Sequence, residues 1–306
     1  MTQTTETQQP QVAGRGPLGL IRRHPLISFF VIAIAFTWTY DLLFLVAFPV
    51  PDVPGRSTPR DFGPSVAALV VTAVISGKPG LRRFFQRFRV WRVNPIWYLF
   101  IFVGVPLIYT AGVVVMPGAL ASFRIPSPTG LLVLPVLYLY IVVLGGPLFE
   151  EPGWRGFALP RLQSRWAPLA AAVILGVLWA AWHATEYLEP EFARANGGLS
   201  VSGAGVFLLA AVCFSIIIAW VFNHTGGSIL IAILLHGMIN FSQGLTSDLF
   251  PKAGFNEVGP VAAFCVVALI IVVATRGRLG YSRTDDREGL DNHPTATAVE
   301  PRNGDA

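Results

Sequence analysis

The sequence predicts an all-α membrane protein, a polytopic bundle of about eight transmembrane helices. Three observations carry this. Of 306 residues, 53% are hydrophobic and only 13% charged, where a soluble globular chain carries about 25% charged residues. The mean hydropathy is +0.59, and apolar runs long enough to cross a hydrocarbon core of roughly 30 Å as helices recur along most of the chain. Those runs are apolar on every face, whereas a strand of a membrane barrel alternates apolar and polar positions over about ten residues. A helical bundle therefore satisfies the backbone in lipid.

Eight spans are expected at 26–49, 62–77, 96–117, 131–150, 168–188, 203–222, 227–246 and 258–275. Proline marks the joints: Pro49, Pro51 and Pro54 close the first span, Pro117 closes the third and Pro168 opens the fifth. Residues 1–25 read as a polar N-terminal tail that lacks the layout of a cleaved secretory signal. Residues 276–306, with Arg, Asp, Thr and Pro and few apolar side chains, read as a disordered cytoplasmic tail. The membrane-embedded core occupies 26–275, and its polar motifs fall between 145 and 245.

The formal charge of +5 and a pI near 9.6 do not indicate nucleic acid, because the basic residues lie in short blocks between spans, where lipid attraction and topology selection account for them. With the N-terminus cytoplasmic, only Arg56, Arg60, Arg124, Arg194 and Lys252 of the 22 basic residues fall outside. Positive charge thus favours two cytoplasmic termini. The block Leu81 to Arg92 alternates bulky apolar residues with arginine, as a helix in the headgroup layer would, or simply as a topology determinant. Only two basic residues are lysines, and Ala, Gly, Pro and Val abound. That composition points to a GC-rich bacterial genome and a multi-pass protein of the bacterial cytoplasmic membrane. Cys213 and Cys265 sit in apolar runs without CxxC or zinc spacing, so neither a disulfide framework nor a structural metal is expected.

An ionisable group at membrane depth costs several kcal/mol unless it is paired or faces water or the bundle interior. Six residues require such an explanation: Glu150, Glu151, Arg155, His183, His236 and the uncharged Asn240. On a helix Glu150 and Glu151 point about 100° apart, while Glu151 and Arg155 share a face at i and i+4. Glu150 is therefore aimed elsewhere. His236 and Asn240 also stand at i and i+4, with Gly237 between them allowing a partner helix to approach closely. Taken singly, each element also fits a packing or interfacial role. Together, a carboxylate, two imidazoles, an amide donor and a supporting arginine are the parts needed to split an amide bond. Water must lose a proton to a base, and the oxyanion that follows needs donors already in place. The same atoms suit a second chemistry, a divalent ion such as zinc held by Glu150, His183 and His236 with an open water position.

These elements resemble the CPBP (CAAX protease and bacteriocin-processing, Abi) family of intramembrane endopeptidases, related to the type II CAAX prenyl endopeptidases. Glu150-Glu151-Pro-Gly-Trp-Arg155 fits the family's EExxxR motif. Trp179-Ala-Ala-Trp-His183 fits FxxxH with Trp in place of Phe, and His236-Gly-Met-Ile-Asn240 fits HxxxN. Similar texture at Asp61 to Ala68 and Asn223 to Ile229 extends the likeness over most of 26–275. The resemblance implies Glu150 as general base, His183 as its partner on the water, His236 and Asn240 on the oxyanion or metal side, and Glu151 with Arg155 as support. It also implies a membrane-associated or peptide substrate. A transporter or ion pathway could use the same buried Glu, His and Asn, and an inactive membrane scaffold could keep them, but their crowding between 150 and 240 favours one site over a repeat interface. One conflict is visible in the linear order. His183 is roughly 22 Å into its span while Glu150 ends its own, so either the fourth helix continues to about Leu159, bent at Pro152, or the fifth begins in the cytoplasm. Asp41 is expected to pair with Arg155 or to sit in a watery vestibule.

Overall fold

The structure, a computed structural model, describes residues 16–48, 58–196, 198, 200–253 and 257–282. All regular elements among them are helical. A short helix α1 (Pro17–Arg23) precedes α2 (Pro25–Asp41), which widens into a π-helical turn at Leu42–Ala47. Then come α3 (Gly63–Gln86) and α4, which runs through Pro95–Leu99, a π turn at Phe100–Gly104 and Val105–Val114. Helix α5 (Pro128–Leu144) is followed by α6, formed by Pro147–Gly153, a π turn at Trp154–Ala158 and Leu159–Gln163. Helix α7 (Pro168–Trp182) tightens into a 3₁₀ stretch at His183–Leu188. The short α8 (Pro190–Ala195) leads to α9 (Val201–His224), α10 (Ile229–Leu249) and α11 (Val258–Thr275).

Seven of these helices are long and apolar enough to span a bilayer, and the α5–α6 pair, bent by 44°, makes an eighth span if taken as one. The protein is a polytopic helical membrane bundle. Local chemistry explains the starts: proline occupies the first turn of most helices, where its missing N–H is not needed. Ser127, Ser200 and Ser228 accept backbone N–H groups of the helices they precede. Helix α10 lies at the centre, with 67% of its apolar window buried, and α9 is next at 56%.

Several sequence expectations change here. The fourth span does not end at residue 150. Helix α5 stops at Gly145–Gly146, and a new helix carries Glu150 and Glu151 onward to Gln163. Continuation past Leu159 was one of the two expected solutions, but the bend sits at the glycine pair and not at Pro152. Gly146 has φ of 97°, a left-handed geometry that glycine adopts without steric cost. The second span runs beyond residue 77 as well: α3 kinks at Gly77 (φ 56°), takes in Pro79 and stays helical through the arginine block to Gln86. Residues 17–23 of the expected polar tail are helical. Residues 276–282, assigned to a disordered tail, instead fold against the bundle. Leu279 is fully buried, its carbonyl accepts the Asn223 side-chain N–H, and Gly277 O accepts the Leu169 N–H. The rest of that tail lies outside the described residues.

Candidate active site

Glu150 stands in the first turn of α6, its backbone N–H bonded to Gly146 O at 3.0 Å. The carboxylate is held from one side only: Oε2 accepts Trp179 Nε1–H at 2.8 Å and, more distantly, Trp154 Nε1–H at 3.4 Å. Oε1 lies over the Gly146 Cα, where any side chain would strike it. Glu151, one residue on, faces the opposite way. Its Oε1 accepts Arg155 Nη1–H at 2.7 Å and pairs with His236 Nδ1 at 2.9 Å. The expected division of labour between the two acids is thus a matter of helix geometry. Close packing holds α6 in place, since Gly153 abuts Pro64 of α3 with no room for a Cβ, and Ser65 Oγ donates to Phe149 O at 2.5 Å.

Trp179 joins the elements. Its N–H reaches Glu150, its ring lies 4.9 Å from the Arg155 guanidinium carbon, and its ring centre is 5.6 Å from that of His183 and 5.2 Å from that of His236. Its carbonyl bonds His183 Nδ1 at 2.8 Å. Through this one indole the Glu150 carboxylate and the His183 ring are packed against the same side chain. The expected conflict of depth is resolved by α6 entering the bundle.

Both imidazoles are oriented by their δ nitrogens. A carbonyl can only accept, so His183 carries its proton on Nδ1 toward Trp179 O and, when neutral, leaves Nε2 as a base. His236 meets the Glu151 carboxylate in the same way. His183 sits among aromatic rings: Trp182 at 4.6 Å, Phe207 at 5.3 Å and Phe192, nearly parallel, at 5.9 Å. Asn240, one turn beyond His236, is half-buried. Its neighbour Gly237 packs on Val142 of α5, the close helix approach its position suggests. Exposure separates the two sets. Glu151 and Arg155 are completely sealed, whereas Glu150, His183 and His236 keep 5%, 9% and 4% of their surface.

A second network lies beside His183. Arg60 Nη2 pairs with Glu189 at 2.8 Å, and Arg60 also faces Asp41, Asp61 and Glu186 at 3.7–3.8 Å. Asp41 therefore pairs with Arg60 and not with Arg155. Arg60 is near because the Pro59–Phe62 turn that precedes α3 packs beside the end of α2 and the acids at 186 and 189. Thr185 Oγ1 donates to Asp41 at 2.6 Å, Trp182 Nε1 to Thr37 Oγ1 at 2.8 Å, and Thr37 Oγ1 to Arg60 O at 2.7 Å. Trp154, Phe192 and Phe207 have no role in the sequence reading, Arg60 enters it only as a charge between spans, and Trp179 only as the aromatic of the FxxxH-like motif. An aromatic or a cation in an apolar chain carries no signal until its neighbours are known.

Orientation of two imidazoles through their δ nitrogens is what a metal site uses to set its ligands. Among the described residues no three of His, Cys, Asp and Glu come together closely enough to hold an ion as arranged, and the scheme proposed for the site uses none.

Residues 132–242 match the family model for type II CAAX prenyl endopeptidases, Rce1-like. CAAX prenyl protease 2 of Methanococcus maripaludis is 32% identical over 139 residues, which cover 45% of this chain and 49% of that protein. The chain thus spans about half the length of the curated relative it matches. The matched family segment contains all six residues singled out above, from Glu150 to Asn240.

Proposed function

We propose, from the match of residues 132–242 to the Rce1-like type II CAAX prenyl endopeptidase model and the likeness to CAAX prenyl protease 2, that the protein is an intramembrane endopeptidase that cleaves a membrane-associated peptide with water activated by Glu150. The observation that carries the reading is the one-sided grip on Glu150. Two indole N–H groups occupy Oε2 and leave Oε1 to take a proton from water. His183 assists by offering Nε2 to the same water, its ring fixed by the Trp179 carbonyl and the surrounding aromatics. When the peptide carbonyl is attacked, charge develops on its oxygen. The Asn240 amide can donate to that oxygen, and the His236 ring, held by its Nδ1 against the Glu151 carboxylate, stands beside it on the same face of α10. Glu151 and Arg155 touch no substrate in this scheme and serve to hold His236 and α6. Glu150 then passes the proton to the leaving amine.

The proposed setting is a multi-pass protein of the cytoplasmic membrane with both termini inside, following the charge bias. The name of the archaeal relative makes a peptide ending in a prenylated CAAX sequence a reasonable first substrate beside a library of transmembrane peptides. The test compares wild type and Glu150→Gln in proteoliposomes, with products read by mass spectrometry. Glu150→Gln is expected to lower kcat by about 10²–10⁴-fold, the usual worth of a general base. Identical product profiles would end the protease reading. Wild-type cleavage that survives a zinc chelator supports the metal-free scheme, and cleavage abolished by the chelator refutes it.

A further inference from the structure

Two thiols that lie far apart in the chain meet inside the bundle. Cys213 of α9 and Cys265 of α11, 52 residues apart in sequence, are both free thiols, and their Sγ atoms stand 2.9 Å apart. Their neighbours hold the two helices in register there. Phe214 packs edge-on against Phe264 at 4.9 Å, and Phe264 in turn against Tyr109 of α4 at 5.9 Å. Neither cysteine belongs to the site assembled around Glu150.

The helices set the depth of the pair. Asn223, near the end of α9, donates to the Leu279 carbonyl just past α11, so the two helices end on the same side. At 1.5 Å per residue Cys213 lies about 16 Å before His224 and Cys265 about 15 Å before Thr275. Both are therefore near the middle of a hydrocarbon core of roughly 30 Å. Hydrated thiols and dithiols do not reach that depth, and an isolated thiolate is costly in it. Oxidants that dissolve among acyl chains do reach it. The two sulfurs also differ in access. Cys213 is 5% exposed, whereas Cys265 keeps more of its surface, beside Val266 and Leu269, each more than half exposed on α11. In a bilayer such a face looks onto lipid.

We propose that Cys213 and Cys265 form a redox site for lipid hydroperoxides, which convert the pair into a disulfide between α9 and α11. The Cys265 sulfur attacks the outer peroxide oxygen and the O–O bond breaks. The lipid leaves as its alcohol, carrying the thiol proton, and Cys265 becomes a sulfenic acid. The Cys213 sulfur then attacks the Cys265 sulfur, its proton joins the departing hydroxyl, and water leaves. Two thiols lose two electrons in all, and one hydroperoxide is reduced to an alcohol and water. In each step the proton travels to the leaving oxygen, so no isolated charge is stranded in hydrocarbon. The new bond staples α11 to α9, the helix whose Phe207 ring packs 5.3 Å from that of His183.

The test places the full chain in phosphatidylcholine liposomes and adds phosphatidylcholine hydroperoxide. Remaining thiols are blocked with N-ethylmaleimide after denaturation, and the cysteine peptides are identified by mass spectrometry. Wild type is expected to form the Cys213–Cys265 disulfide, to consume one hydroperoxide per chain and to melt several degrees higher once oxidised. Glutathione in the buffer should leave the bond intact, whereas tributylphosphine, which enters lipid, should reduce it. Cys213→Ala should stop at a dimedone-reactive sulfenic acid on Cys265. Cys265→Ala should consume no hydroperoxide beyond that lost in protein-free liposomes. Wild type decides the question even if a variant fails to fold: two free thiols after hydroperoxide treatment overturn the proposal. A Cys265→Ala chain that consumes hydroperoxide as fast as wild type overturns it too.

Discussion

Two arginines organise two ion clusters in this protein, and they do so in opposite ways. Arg155 is fully enclosed and meets one carboxylate, Glu151, which it shares with His236. Arg60 is 12% exposed at its side chain and faces four carboxylates, Asp41, Asp61, Glu186 and Glu189, only one of them at hydrogen-bonding distance. The first cluster joins α6 to α10 through one acid set between two bases, with Glu151 and Arg155 wholly buried. The second fastens α2, the start of α3 and the His183–Leu188 stretch with an excess of negative charge near solvent. The first orients His236 directly, while the second ties down Trp182 and Thr185, which flank His183 in sequence, through Thr37 and Asp41. The contrast teaches that burial, and not the number of ion pairs, decides how much a cluster matters to folding.

The sharpest way to break that comparison is to remove the sealed cation. Arg155→Ala leaves the Glu151 carboxylate buried with His236 as its sole partner, and Glu151 Oε2 is already without a hydrogen bond. The expected loss is about 3–5 kcal/mol, the cost of breaking a buried pair, measured by unfolding in mixed micelles. Replacing both members with leucine should recover most of the stability while activity stays low, because His236 loses its carboxylate. An Arg155→Ala protein as stable as wild type would mean that the pair is not sealed in the membrane.

Gly146→Ala tests the hinge between the clusters. A residue other than glycine at φ of 97° is strained by about 1–2 kcal/mol, and its methyl group would meet Glu150 Oε1. Melting temperature should fall by several degrees. The kcat should fall much further, by about 100-fold, because a misplacement of about 1 Å at the base is enough for that. Equal losses in stability and activity would argue that Oε1 is not the working oxygen.

Arg60→Ala sharpens the other side. Removing the cation that faces Asp41 and Glu186 among the described residues should cost about 1–2 kcal/mol, less than the sealed pair because the site is less deeply buried. Raising salt should reduce the difference between mutant and wild type, as screening requires, whereas the Arg155→Ala deficit should persist. A salt-independent Arg60→Ala deficit would place the Arg60 cluster in the same dry environment as Arg155.

Much of this architecture could be read from residues alone, and the exceptions share a cause. Apolar run length identifies spans because lipid demands it, and the i, i+4 spacings of Glu151 with Arg155 and of His236 with Asn240 identify shared faces because helices are regular. What escaped was set by partners distant in sequence. Asp41 is expected beside Arg155 or in a watery vestibule; it meets Arg60 because the Pro59–Phe62 turn packs against the end of α2. The break in the fourth span sits at Gly145–Gly146 because a left-handed residue can end one helix and start another, while Pro152, near the helix start, is tolerated within α6. Residues 276–282 looked solvated by composition, yet Leu279 is buried because Asn223 and Leu169 supply partners for that backbone.

Trp179 gives the finest test, because the resemblance places phenylalanine there and a phenyl ring cannot donate to Glu150. Trp179→Phe keeps an aromatic body near His183, His236 and Arg155 and deletes a single N–H of 2.8 Å length. The bond to a carboxylate is worth about 1.5–3 kcal/mol when fully formed, but Trp154 Nε1 at 3.4 Å can close on the vacated oxygen and offset part of it. The net effect should therefore sit near 1 kcal/mol, about a five- to tenfold fall in kcat, with KM and melting temperature close to wild type. Trp154→Phe alone should do less, and the double variant should lose more than the sum of the two, since each indole covers for the other. Strictly additive losses would show that the two donors act independently on Glu150, and a fall in KM affinity without a change in kcat would move Trp179 from the base to the substrate.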